Sequence, residues 1–231
     1  MRYHLLTTSY RRRMLDADLT GACASLSGLV LDLGGERHSR RGRFRPPTRP
    51  NLHWLCLNLN PGVAPDVVGD AACVPLASGC ADAVVCTEVL EHVVQPEQVI
   101  AECSRLLKPG GRLILSMPFL ARIHADPNDY QRFTAAKLVH ILREADLTME
   151  TMHKQGLYFT VLAEMLKTLI REVRPTPLRW MIGALTLPVL DMLIWLEGHP
   201  RLATSPLISS YTTGFFIIAV RSSRRTLDNE A

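Results

Sequence analysis

Leu29-Val30-Leu31-Asp32-Leu33-Gly34-Gly35 is a short apolar run that stops abruptly at small residues, with one acid inside it. The same grammar returns at Gly69-Asp70-Ala71, and again in Val84-Val85-Cys86-Thr87-Glu88-Val89-Leu90-Glu91-His92. A strand buried on both faces reads as a continuous apolar run. Polar and small residues gathered at its carboxyl end read as a loop that meets a ligand.

Working outward from these ends, strands are expected at Gly28–Leu33, 53–59, 67–69, 83–86, 112–117, 147–152 and Gly214–Arg221. Asn60-Pro61-Gly62 closes the second as a turn. Residues 96–107 repeat apolar side chains at helical spacing, and Lys108-Pro109-Gly110-Gly111 stops them. Thr134 is the expected N-cap of a helix through Ala145. Strands that alternate with helices argue for an α/β fold with a mostly parallel sheet covered on both faces.

The 231 residues suffice for a single domain. It divides into a polar lead-in with a short helix (1–27), a core (28–156), a helical insertion (157–210), and a last strand with tail (211–231). In the insertion, 157–170 reads as an amphipathic helix and 180–196 as a more apolar one. Asp191 and Pro188 interrupt the second, and it falls short of the ~20 residues a span needs. It is either a buried helix or lid, or a helix lying on a membrane surface.

A hydrophobic share of 47% with 21% charged residues is that of a folded globular chain. The net charge of +4 rests on 22 Arg and only 4 Lys. The basic residues of 37–50 form one loop rather than a groove, with Phe44 the single aromatic among them, and lysine is scarce, so no nucleic-acid partner is expected. Six cysteines without a C-x-x-C pair, mostly inside apolar runs, suit reduced thiols of a cytoplasmic protein, and no metal site is expected. Arg11-Arg12-Arg13 has no apolar core after it, so no signal peptide is expected.

Two segments carry a resemblance. Thr87-Glu88-Val89-Leu90-Glu91-His92-Val93 and Leu106-Leu107-Lys108-Pro109-Gly110-Gly111-Arg112-Leu113 resemble, nearly letter for letter, the strand-four exit and the turn into strand five of class I S-adenosylmethionine (SAM) dependent methyltransferases, in the small methyltransferase-11-like group. The resemblance implies a Rossmann-like seven-stranded sheet whose last strand is antiparallel, SAM as cofactor, and methyl transfer to a small-molecule or glycan-linked acceptor, with oxygen as the expected atom. A fold of this kind that has lost SAM and serves as a scaffold is the alternative.

The resemblance also assigns residues. Asp32, Gly34 and Gly35 would cradle the amino-acid end of SAM, although Glu36-Arg37-His38-Ser39 stand where the family has a further glycine. Asn58, beside Leu59, would meet the ribose in place of the usual acid. Asp70 and Ala71 would take the adenine, and Thr87 and Glu88 would lie beside the methionine and sugar. Glu91 and His92 are read as shaping the start of a helix. Residues 118–134 follow strand five and resemble a subset of small methyltransferases found with surface-polysaccharide genes. There His124, whose ordinary pKa lies near neutrality, is the candidate base, with Asp126 or Asp129 as its partner. A polar loop held by Asx-turns explains the same residues without chemistry.

Overall fold

The computed structural model describes residues 8–36, 42–124 and 128–223. Asp126 and the centre of the arginine-rich loop lie outside the described residues. Helix α1 (Tyr10–Cys23) precedes β1 (Gly28–Leu33), β2 (Leu52–Asn58), β3 (Val67–Val68) and β4 (Ala81–Thr87). Then come α2 (Pro96–Leu106), β5 (Leu107–Pro118), α3 (Ala135–Glu144) and β6 (Leu147–Lys154). The insertion holds α4 (Tyr158–Glu172), α5 (Thr176–Glu197) and two single turns, α6 (Pro200–Ala203) and α7 (Pro206–Ser209), before β7 (Gly214–Arg221).

The seven strands form one sheet in the order β3-β2-β1-β4-β5-β7-β6, with β7 antiparallel to both its neighbours. This is the expected Rossmann-like α/β fold. Strand five is longer than expected: the Lys108-Pro109-Gly110-Gly111 stop lies inside it, because Ala81 pairs with Leu107 ahead of the irregularity that restores register at Ala83–Arg112.

The two faces of the sheet are covered differently. One face packs Leu31, Leu33, Val84, Cys86, Leu113 and Leu115 against α2 and α3, through Val99, Ile100, Cys103, Leu138 and Ile141. The other packs Val30, Leu52, Val85, Ile114 and Phe216 against Leu15, Leu19 and Cys23 of α1. The link from β1 to β2 carries no helix among its described residues, so α1 covers the surface that a crossover helix would otherwise bury. The lead-in is therefore a structural wall. Leu15, Leu19 and Cys23 recur every four residues, which puts them on one helical face. Ser9 caps α1 by accepting the Arg12 N–H at 3.0 Å.

Helices α4 and α5 pack together as a hairpin. Leu157, the N-cap of α4, offers no side-chain cap. Instead Glu197, buried at the end of α5, accepts the Leu157 N–H at 2.9 Å and the Thr160 N–H at 3.0 Å, and also the Thr160 hydroxyl. A carboxylate there answers both the orphan amides and the positive end of the helix. The reading of 180–196 as a buried helix is overturned: only Gly183, Leu190 and Glu197 of α5 are buried. One side of the helix rests on α4 and Tyr10, through Ala163, Leu187, Leu190 and Ile194, and the opposite side meets solvent.

Glu197→Ala should lower unfolding stability by about 1–3 kcal/mol, the cost of stranding buried donors. Urea denaturation measures it. Glu197→Gln, which still accepts a hydrogen bond, should lose less.

Candidate functional site

The site sits where β1, β4 and β5 end. Gly34 has a φ of +76°, and a Cβ on it would lie 2.7 Å from Val89 Cγ2. A Cβ on Gly35 would lie 2.5 Å from the Asp32 carboxyl. Both positions therefore exclude a side chain, and the backbone after β1 stays open to a close approach.

A cavity of about 320 Å³ opens beside these glycines. It brings together five expected cofactor residues: Asp32, Gly34, Gly35, Thr87 and Glu88. Arg12 and Leu19 of α1 and Trp54 of β2 complete the walls. Asn58, Leu59, Asp70 and Ala71 lie outside the lining. Leu59 and Asp70 are exposed, and Asp70 Oδ1 accepts the Ala72 N–H at 2.9 Å in an Asx-turn.

Asn58 is committed within the protein. Its amide nitrogen donates to the carbonyls of Gly34 and Gly35, each at 3.1 Å, and its Oδ1 accepts the Asn60 N–H at 2.9 Å. A carboxylate could make neither of the first two bonds. The amide at this position thus supports the altered glycine loop, which explains why an acid is absent.

Asp32 points to the α1 side of the sheet, 3.2 Å from the donating Trp54 Nε1. Burial pushes its pKa up to about 7, against the pull of the Trp54 bond and the Arg12 charge. Arg12 Nε lies 3.3 Å from Asp16 Oδ1, an ion contact without hydrogen-bond geometry. Asp16 in turn accepts the Arg43 N–H at 2.6 Å and so ties the far end of the loop to α1.

Glu88 begins the exit from β4 with a φ of +57°. Its carboxylate forms a two-pronged ion pair with Arg11 of α1 and accepts the Ser116 hydroxyl at 2.7 Å. Burial alone would raise its pKa, but the Arg11 charge and hydrogen bonds hold it below the ordinary carboxylate value. Glu91, one turn on, has no such partner. It is fully buried and neither carboxylate oxygen accepts a hydrogen bond. Burial, then the nearby Glu88 charge, push its pKa up to about 8.

The loop after β5 folds back onto this turn. Tyr130 N–H donates to the Glu91 carbonyl at 2.8 Å, and Gln131 Nε2 donates to the carbonyls of Leu90 and Val93 at 3.0 and 2.8 Å. His92 Nδ1 meets the Asn128 carbonyl at 2.5 Å. The loop thereby sets the rings of His92 and His124 edge to face, 5.2 Å apart. Asp129 is the described carboxylate beside His124: its Oδ2 accepts the His124 N–H at 3.0 Å and lies 3.4 Å from His124 Nδ1. Arg132 grips both oxygens of Asp129 and holds its pKa down to about 2, so it stays charged.

The helix-start reading of Glu91 and His92 does not account for this convergence. Ligand-type atoms of Glu91, His92 and His124 all lie within 4.8 Å of one another, close enough to share a proton network or hold a cation. Cysteine spacing carries no signal for such a trio, because His124 arrives from a different strand. Arg11 and Arg12 were also missed, since their role depends on where α1 docks.

Comparison with known proteins bears on the fold that carries this site. Residues 54–115 match the methyltransferase domain family. A ubiquinone biosynthesis O-methyltransferase of Xanthomonas oryzae pv. oryzae is 59% identical over 39 residues, which is 17% of this chain and 16% of the relative. The chain thus matches about a sixth of the length of that curated relative. The solved structure of the cyclase SpnF superposes with a TM-score of 0.57 at 13% identity, covering 91% of this chain and 81% of that one. Geranyl diphosphate C-methyltransferase from Streptomyces coelicolor A3(2) superposes with a TM-score of 0.51 at 15% identity, covering 90% and 77%. The chain has the Rossmann-like fold of these proteins.

Two outcomes follow from the site. Asn58→Asp should weaken the glycine loop, lowering thermal stability by about 1–3 kcal/mol, since two carbonyls lose their donor and face a charge. Asp32→Asn should stabilise the ligand-free protein at high pH. The folded pKa of Asp32 exceeds its unfolded value of 3.8, so its penalty is absent below pH 4 and grows as pH rises to about 7. At ~1.36 kcal/mol per unit the plateau is at most about 4 kcal/mol. Unfolding curves of both proteins at pH 4 and pH 8 should converge at the first and separate at the second.

Proposed function

We propose that this protein transfers the methyl group of SAM to a hydroxyl of a small-molecule or glycan-linked acceptor, with His124 as the base. The observation that carries the reading is a glycine-walled cavity with Glu88 in its wall, together with a carboxylate-held histidine packed against His92 on the turn that follows Glu88.

The cavity fits the cofactor in size and in chemistry. Its 320 Å³ falls within the range of small-ligand sites. Asp32 and Arg12 offer opposite charges for an ammonium and a carboxylate, the two groups at the amino-acid end of SAM. Thr87 and Glu88 line the next part of the wall; Asn58, Leu59, Asp70 and Ala71, outside that lining, would meet the ribose and adenine only where SAM extends beyond the cavity. Bound there, SAM supplies a methyl group on a positively charged sulfur.

The rest falls to the chain. His124 Nδ1 faces the Arg122 carbonyl at 3.3 Å and Asp129 Oδ2 at 3.4 Å. A proton on Nδ1 suits both acceptors and leaves the lone pair on Nε2. Nε2 would then take the hydroxyl proton of the acceptor as its oxygen becomes the nucleophile. Asp129 orients the ring, and Arg132 keeps Asp129 charged. Alignment of the two reactants provides the remaining acceleration. The name of the ubiquinone relatives supports oxygen as the methylated atom. Cys23, Cys86 and Cys103 are buried thiols within the packed core, which supports a cytoplasmic setting.

Asn58 favours a second reading. Its amide is spent on the glycine loop, where an acid facing the ribose would strengthen SAM binding, so a scaffold that kept the fold and lost the cofactor is the competitor. Calorimetry with SAM separates the two, because the scaffold releases no binding heat.

In the enzyme, His124→Ala should lower kcat by ~10²–10⁴ and leave SAM affinity unchanged, with a smaller loss for Asp129→Asn. Steady-state methylation assays across hydroxyl acceptors measure it. Wild-type turnover by His124→Ala removes His124 from the chemistry. Loss of wild-type turnover on chelation would instead assign Glu91, His92 and His124 to a cation.

A further inference from the structure

The exposed side of α5 is a continuous apolar stripe. Leu178, Met181, Leu185, Val189, Met192 and Trp195 follow one another at steps of three or four residues, which places them on one face. Leu185 is 70% exposed and Trp195 75%. Only 17% of the most apolar window of this 22-residue helix is buried. The neighbouring α4 adds Met165, Leu166 and Leu169, all exposed. Soluble surfaces carry single apolar residues freely, but a run of this length marks a contact.

The charges beside the stripe select the partner. Between residues 165 and 190 the only acid is Glu172, while Arg171 and Arg174 are exposed and Arg179 is half-buried at the α4–α5 junction. Among the described residues no carboxylate pairs with Arg171 or Arg174. Asp191, the one acid beside the stripe, is drawn toward Arg13 of α1 at 3.9 Å. An apolar face with a basic edge complements an anionic lipid surface. The exposed Trp195 suits the depth where hydrocarbon meets headgroups.

We propose that α5 docks this protein on the surface of a lipid bilayer with anionic headgroups, the helix lying in the plane of the membrane. The helix is long and apolar enough to cross one. It cannot leave the domain to do so without breaking contacts on its other side. Leu187, Leu190 and Ile194 hold it against Ala163 and Tyr10, and Glu197 caps α4. The attachment reaches the site as well: Glu164 of α4 accepts the Arg11 N–H at 2.8 Å, and Arg11 grips Glu88.

The inference does not rest on methyl transfer, and its test does not measure it. The full chain is floated with phosphatidylcholine vesicles, with and without phosphatidylglycerol, at low and high salt. It should rise with the anionic vesicles and less with the neutral ones, and salt should weaken the preference. Leu185→Glu with Trp195→Glu should cut partitioning roughly tenfold. Arg171→Glu with Arg174→Glu should remove the preference for phosphatidylglycerol. Thermal unfolding of each variant checks that it is folded, as substitutions of exposed residues should allow. Failure of the wild type to float overturns the proposal, as does flotation that the folded variants share equally. A wild-type dimer in sedimentation that Leu185→Glu dissociates, without flotation, would assign the face to a second copy of the chain.

Discussion

The buried ion pair between Arg11 and Glu88 holds together the parts that make the site. Glu88 leaves β4 in the left-handed region, a strained conformation for a residue with a side chain, and its carboxylate is partly buried. Burial of Arg11 works against its charge, and Glu88 more than restores it. Neither group is stable there alone: removing one partner of a buried pair costs about 3–5 kcal/mol. The pair therefore fixes where α1 crosses the sheet. From Arg11 the connection runs through its backbone to Glu164 on α4, and from Glu88 through its carboxylate to Ser116 on β5.

Glu88 and Glu91 show how one turn of chain produces two different carboxyl groups. Glu88 has an arginine and a hydroxyl and stays ionised. Glu91 has neither, feels the charge of Glu88, and is pushed toward its neutral form. Two acids one turn apart thus have their pKa values pushed in opposite directions by their surroundings. Asp129 is a third case, held ionised by Arg132 while it accepts the His124 N–H. Such perturbed groups gather at functional sites because chemistry needs them there, whereas a surface would leave them near their ordinary values.

The link between β1 and β2, which carries no helix among its described residues, has a similar reach. A parallel pair needs a crossover, and a helix in that crossover usually covers the sheet. Here α1 does so from before the first strand, and Asp16 fastens the end of the link to it. The cavity beside Asp32 is thus walled by a helix that brings Arg12 with it. The altered glycine loop on its other side has Asn58 as its internal brace.

The strand ends were legible from the chain itself. Apolar runs that stop at Asp32–Gly35, Asp70 and Thr87–His92 mark buried strands and their loops, because a parallel sheet leaves only its carboxyl edge for polar work. Helix caps such as Thr134 were legible for the same local reason: they depend on backbone within a few residues. The role of Arg11, the brace made by Asn58, the meeting of His92 with His124 and the bare face of α5 were not. Each depends on segments far apart in sequence, 77 residues in the case of Arg11 and Glu88. Helical periodicity shows that α5 is apolar, but it cannot show which side is covered. Spacing carries information only along one element, and the burial that shifts a pKa or leaves a face exposed exists only after the elements have packed.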